Sequence, residues 1–276
     1  SGGAAAPGRG WRIDAMSYAL TSAAGHDSTW LERLGEHAAP LDGGPHEVHI
    51  RLAPDSRLTH YRLLGPDGLA DLPDRLTVEI GAGARYEQRL LAAPAGQFRS
   101  EQTIRLHGRG ASATLGGACA ALPLAQLDLD IRVIHDADDT MSDERINLLG
   151  ADRGKATAQV ETLVPPGRRG IRANQLLRAM QPEGTAVIAL RPRLSILSDD
   201  VLCRHGATTS ALREDELFYL CARGIPRHEA VTMLSEAFLR QMLPGGEQEA
   251  AAEAQRLIAR MLSLALRREP EAFHEA

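Results

Sequence analysis

The feature that most constrains this chain is a series of short segments, from about Pro45 to Leu197, in which apolar and polar residues alternate and Gly, Pro or Asp closes each segment. HEVHIRL ending at Leu52, DRLTVEI ending at Ile80, QTIRL ending at Leu106 and LDLDIRVI ending at Ile134 all carry this period of two. Alternation over four to eight residues turns one side of the backbone to a core and the other to water, the mark of half-buried strands. A weak repeat lies on top of it. Gly81-Ala82-Gly83-Ala84 follows one strand, Gly108-Arg109-Gly110-Ala111 follows another 27 residues later, and Pro54-Asp55-Ser56 precedes the first by about the same interval. A recurring strand, turn and strand unit of that length suits one coil of a solenoid, because each coil must bury its apolar edge against the next. The pattern predicts a mainly β chain whose core is a right-handed parallel β-helix, in preference to a sandwich.

The period changes after Leu212. Glu214, Asp215 and Glu216 open a run through Leu217-Phe218-Tyr219-Leu220 that suits a helix start, Gly224 stops it, and Pro226 begins a second helix. Ala230, Leu234, Ala237 and Phe238 share one face of that helix. A third, after Gly245-Gly246, carries Leu257, Ile258, Met261, Leu262 and Ala265. The chain thus divides into a short, partly disordered N-terminal segment (1–45), a β-helix core (46–212) and a C-terminal helical subdomain (213–276). The tail has more apolar face than capping one end of a solenoid requires, and a leftover face favours a partner. The opening SGGAAAPGRG is of low complexity and lacks an initiator Met, as expected of a processed end, an engineering scar or a cut within a longer chain.

Composition removes several function classes. With 31 basic against 36 acidic side chains the net charge is −5, and the arginines are interspersed with acids, which disfavours nucleic-acid binding. Aromatics make up 4% of the chain, too few for stacking platforms or sugar-binding stripes. The cysteines, Cys119, Cys203 and Cys221, are odd in number and show no zinc spacing, so a reducing cytoplasm is expected. No apolar stretch reaches membrane-span length and no export signal is visible. Gly-x-Ser-x-Gly and His-Glu-x-x-His are both absent, and the Gly pairs at 81–83 and 108–110 precede neither Lys-Ser/Thr nor a helix, so they are turns and not phosphate cradles.

The most informative stretch runs from Leu194 through Ser198-Asp199-Asp200-Val201-Leu202-Cys203-Arg204-His205-Gly206-Ala207-Thr208 to Phe218-Tyr219 and Arg223-Gly224-Ile225. On an extended strand Cys203 and His205, two apart, share a face where thiolate and imidazole could touch one iron, but two ligands do not close a site. The plainer alternative is a buried Cys203 packing as a small hydrophobe and a His205 bonded to backbone before Gly206. Asp199 and Asp200 read as a solvated strand end, His135-Asp136-Ala137-Asp138-Asp139 as a solvated turn and not a hard-metal site, and Cys221 as helix packing.

This stretch resembles the end of the SufB/SufD family of iron–sulfur cluster assembly scaffolds, whose members carry an acidic pair, Cys-x-His, Phe-Tyr and Arg-Gly-Ile at similar spacing. The Cys-x-His-Gly-Ala form is more similar to the SufD branch. Leu106-His107-Gly108, Leu115-Gly116-Gly117, Asp128, His135 and Thr140-Met141-Ser142-Asp143-Glu144 match the family's core pattern upstream. The resemblance implies a non-catalytic subunit that pairs with a SufB-like chain and docks a SufC-like ABC-type ATPase through its helical tail. Phe218, Tyr219, Arg223 and Phe238 would bind partners. His205 and Cys203 would contact iron or a transient iron–sulfur cluster that exists only in the complex, at the partner interface. Family members carry a longer helical N-terminal region, so a truncated or shortened chain is expected. Arg204 stands where a small residue is usual and would either lower the Cys203 thiol pKa or block the site. If it blocks, the chain is a degenerate scaffold without metal. A rival from another class is a β-helix enzyme acting on acidic polysaccharide, which needs carboxylates on successive coils and has Asp128, Asp130 and Asp136 to offer.

Overall fold

In the computed structural model, which describes residues 11–14, 18–34, 46–67, 72–182, 185–242 and 248–266, the alternating segments wind into stacked coils. Each coil lays one strand in each of two sheets. The first sheet contains β1 (Trp11–Asp14), β2 (Tyr18–Ser22), β4 (His46–Leu52), β6 (Leu72–Ile80), β8 (Gln97–Leu106), β10 (Gln126–His135), β12 (Lys155–Val164) and β14 (Val187–Ile196), in that order. The second runs from β3 (Asp27–Arg33) through β5 (Arg57–Leu64), β7 (Arg85–Ala92), β9 (Ser112–Ala121), β11 (Met141–Gly150) and β13 (Arg169–Gln181) to β15 (Asp200–Ala211). All pairings are parallel except β1 with β2. The β-helix is therefore a parallel solenoid, and its coils begin earlier than residue 46: β2 and β3 already occupy places in the two sheets. The opening SGGAAAPGRG lies outside the described residues.

The period of two sends Val48, Ile50, Leu76, Val78, Ile104, Leu129 and Ile131 into the lumen between the sheets, where they form one continuous core with Leu58, Leu90, Leu115 and Ile146. The weak sequence repeat marks a corner that recurs once per coil. Asp55, Gly83, Gly110 and Asp139 all adopt left-handed φ, and each donates its backbone N–H to the next coil, to Ala82, Arg109, Asp138 and Arg169 respectively. Gly108 sits where a Cβ would overlap the backbone of Gly81 and Ala82 in the coil below. Gly108→Ala is thus expected to lower stability by about 2 kcal/mol, seen as a Tm drop of about 5 °C. Gly65→Ala, whose new methyl would meet Leu257 Cδ1 at an ordinary 3.6 Å, should leave Tm within a degree or so of wild type.

The tail forms α1 (Glu214–Ala222), α2 (Arg227–Arg240) and α3 (Gln248–Ala265). Acids fill the first turn of α1, and Gly224 at φ 85° ends it, its N–H bonded to the Cys221 carbonyl. Instead of capping the end of the solenoid, the tail folds back along the outside of the second sheet. Phe238, Leu239 and Met242 with Ala254, Ile258, Met261 and Leu262 bury the outer residues Tyr61, Leu63, Leu91, Ala118, Ala120 and Leu149. Asn147 donates to the Phe238 carbonyl at 2.6 Å, and Arg33 grips Glu253 with two hydrogen bonds of 2.7 Å. Helix α1 and the start of α2 pack together with Leu212 and Met180. Among the described residues nothing covers the end of the solenoid beyond β14 and β15.

Candidate functional site

At that open end β14 and β15 each pair on one side only among the described residues. Their free edges are long, 10 and 12 residues, and beside them Val187, Leu197 and Leu202 are 62%, 61% and 63% exposed. An uncovered edge of this length with apolar flanks is a template for another chain.

Cys203 and His205 lie on β15, in register with Ala173 and Gln175 of β13. Gln175 reaches across the lumen to Thr162 and to the Arg193 carbonyl, so its row faces inward, and His205 and Cys203 share that side of the backbone at the mouth of the lumen. His205 is exposed, whereas Cys203 is half-buried and its thiol is pushed up, chiefly by burial. Arg204 faces the opposite way and lines an outer groove with Arg57, Arg85, Asp143, Arg172 and Asn174. It neither covers the Cys203 face nor contributes to that thiol's shift.

Of the residues expected to bind partners, Phe218 and Tyr219 are 74% and 56% exposed on α1, and the Arg223 guanidinium stacks 4.4 Å from the Tyr219 ring. Phe238 requires a correction. It is buried between α2 and the second sheet, with Arg178 over its ring, because the helix needs an apolar anchor on the outer strands; no surface remains for a partner. Cys221 packs against the small α1–α2 cluster, as expected. His135 is a core residue: its ring nitrogens meet Thr140 Oγ1 at 2.8 Å and Ser142 Oγ at 3.0 Å, and burial pushes its pKa down to about 4. Asp136 and Asp139 pair with Arg105 and Arg109. Among the described residues no group of three or more His, Cys, Asp or Glu side chains is placed to hold a metal ion. Asp200 accepts from the Gly170 N–H at 3.1 Å.

Two polar clusters inside the lumen escaped the sequence reading. Near the first coils, Arg62 bridges Glu32 and Asp74 with His60 and His46 beside them, and Trp30 stacks on His60 at 4.3 Å. Burial alone would raise the Glu32 carboxyl, but Arg62 and His60 more than offset it and hold the group well below the usual range. Within that cluster Glu32 Oε1 and Trp30 Nε1 lack a hydrogen-bond partner, while Arg62 ties the two carboxylates together. Near the open end lies the second, Glu144 and Gln175, in register with each other and then with His205. Both Glu144 oxygens and Gln175 Oε1 are buried without hydrogen-bond partners. Burial is the largest influence on Glu144 and raises it to about 8, against a smaller lowering by the neighbouring Ser142 and Thr162 hydroxyls.

The model of the SUF-system iron–sulfur cluster assembly family, SufBD core domain, matches residues 26–238. The chain belongs to the SufBD family. SufD of Escherichia coli is 27% identical over 205 residues, covering 71% of this chain and 44% of that protein. A SufBD family protein of Synechocystis is 40% identical over 83 residues, 30% of this chain and 18% of the relative. A chloroplastic protein of Arabidopsis thaliana, ABCI7, is 44% identical over 66 residues, 24% of this chain and 14% of the relative. The matched part is less than half the length of each of these three relatives. Membership and the likeness to SufD support a role in SUF cluster assembly. Among the described residues no helix is long and apolar enough to cross a membrane. Asp128 and Asp130, two of the carboxylates that a polysaccharide-cleaving alternative would use, sit on one strand and are held by Gln126 and Gln159.

Proposed function

We propose that this SufBD chain is a non-catalytic scaffold subunit of a SUF assembly complex, pairing with a SufB-like subunit through the open β14–β15 end and docking a SufC-like ABC-type ATPase through α1. The iron–sulfur cluster is its cargo, held transiently in the complex, with His205 and Cys203 as this chain's contribution. The observation that carries the reading is the coincidence at one end of the solenoid of two unpaired strand edges, exposed apolar side chains and the Cys203–His205 face. A partner that continued either sheet would cover those edges and close the lumen over His205. The three cysteines are free, which fits a reducing compartment such as the cytoplasm.

Helix α1 is the better ATPase contact than the tail as a whole, because α2 and α3 are committed to the outer sheet. Deleting 213–276 would strip that sheet and confound any binding result. The test is co-purification from the native host with two sets of substitutions. Val187→Lys with Leu202→Lys should lower recovery of the SufB-like chain at least tenfold while leaving the Tm of this chain nearly unchanged, since both residues are exposed. Phe218→Ala with Tyr219→Ala should instead lose the ATPase. Full recovery of both partners with both sets would overturn the docking assignments.

A further inference from the structure

We propose that Gln175 is a positioning residue for His205, its side-chain oxygen accepting a hydrogen bond from the His205 ring and so fixing which ring nitrogen is left for iron. This rests on the reading of His205 as an iron-contacting residue. The two residues occupy the same register position on neighbouring strands, β13 and β15, and face the same lumen. Strands in a sheet lie about 4.8 Å apart, so the side chains leave the backbone as immediate neighbours.

The orientation of the Gln175 amide follows from its partners. Its Nε2 donates to Thr162 Oγ1 at 2.7 Å and to the backbone carbonyl of Arg193 at 3.2 Å. A carbonyl can only accept, so the nitrogen must face Arg193 and the oxygen must point away. Both amide protons are then in use. Oε1, with two lone pairs, is left buried and unpartnered in a residue only 1% exposed. Its in-register neighbours are Glu144 on one side and His205 on the other. His205 carries a ring N–H, and the amide oxygen has lone pairs free to accept it.

The consequence is chemical. A neutral imidazole has one N–H and one lone pair, and iron takes the lone pair. A ring whose N–H is committed to Gln175 presents its other nitrogen toward the mouth of the lumen, where the partner chain would sit. Histidine ligands in metal sites characteristically spend their second nitrogen on such an acceptor. His205 has no other hydrogen bond or ion pair among the described residues that would compete, and its exposure leaves the ring free to turn inward.

The test uses the full chain labelled with ¹⁵N-histidine. At a pH where His205 is neutral, its ring ¹⁵N shifts should report a single tautomer. Gln175→Met keeps the volume and loses the acceptor. It should move those shifts toward the averaged values of free imidazole, and should lower cluster yield in the partner complex about tenfold per folded chain. Thr162→Val, which releases one anchor of the amide, is the second variant should Gln175→Met fold poorly, and should move the shifts the same way by a smaller amount. Ring shifts unchanged in both variants would overturn the positioning role even if His205→Ala abolished cluster formation. Shifts that move while His205→Ala leaves yield untouched would sustain the hydrogen bond and reject the iron-contacting role on which its purpose rests.

Discussion

Replacing His205 with alanine is expected to leave the chain folded and still able to pair, and to lower the amount of cluster formed per complex by tenfold or more. The structural half of the expectation comes from exposure: His205 stands at the mouth of the lumen and, beyond the contact proposed to Gln175, has no hydrogen bond or ion pair among the described residues, so truncation removes little that stabilises the fold. The functional half comes from ligand chemistry, since a site assembled across two chains from few ligands loses much of its affinity when one is removed. His135 supplies the contrast. It is fully buried with both ring nitrogens engaged, so His135→Ala should cost about 2–3 kcal/mol and reduce cluster yield only in proportion to folded protein. Cys203→Ser should fall between the two, because its thiol is raised by burial and is a poor thiolate source until a metal or partner replaces the proton. Thermal stability and cluster content measured on the same preparations decide the matter. Unchanged yield in His205→Ala at unchanged Tm would leave a scaffold that holds partners without touching iron.

The solenoid was legible because its physics is local. Alternation in β4, β6, β8 and β10 needs no knowledge of what the strand faces, and the Gly81 and Gly108 corners recur because every coil must turn at the same place. The coil formed by β2 and β3 was missed because YALTS and DSTWLER are short, although Gly25 between them, at left-handed φ and donating to the Pro54 carbonyl, makes the same corner. The placement of the tail had a signal that went unused. In β5, β7, β9 and β11 the alternation breaks into continuous burial over the second half of each strand, as in Tyr61-Arg62-Leu63-Leu64 and Arg89-Leu90-Leu91-Ala92. Strands covered on both faces read that way, so the runs announce that something packs outside, and the amphipathic helices were available to do it. Phe238 belongs to that contact. At the candidate site, Cys203 and His205 could be placed on one face from spacing alone, but Glu144 and Gln175 could not be joined to them. Their association depends on the register between strands roughly thirty residues apart, set by coil lengths that vary along the chain.

Glu144→Gln is expected to make the protein more stable at alkaline pH, which is unusual for a substitution inside a core. Burial raises the Glu144 carboxyl from 4.5 to about 8, and neither of its oxygens has a hydrogen-bond partner. Between those two values the folded state keeps a proton that the unfolded chain has released, so folding is linked to proton uptake and stability falls as pH rises through that window. His135 acts with the opposite sign. Its pKa is lowered from 6.5 to about 4, the unfolded chain binds the proton first, and stability rises with pH across that interval. The two slopes offset one another in mildly acidic solution. Above the ordinary histidine range Glu144 continues to titrate, and its part of wild-type stability should decline by about 2 kcal/mol between roughly pH 6.5 and 8. Glutamine removes the ionisation. The variant should come close to wild type near pH 5, exceed it by about 4 kcal/mol at pH 9, and lose less stability than wild type from neutrality upward. Denaturant unfolding of both proteins across that range measures it directly. Two profiles that run parallel would mean that Glu144 is ionised and paired in solution, and would remove the neutral carboxyl from the lumen next to Gln175.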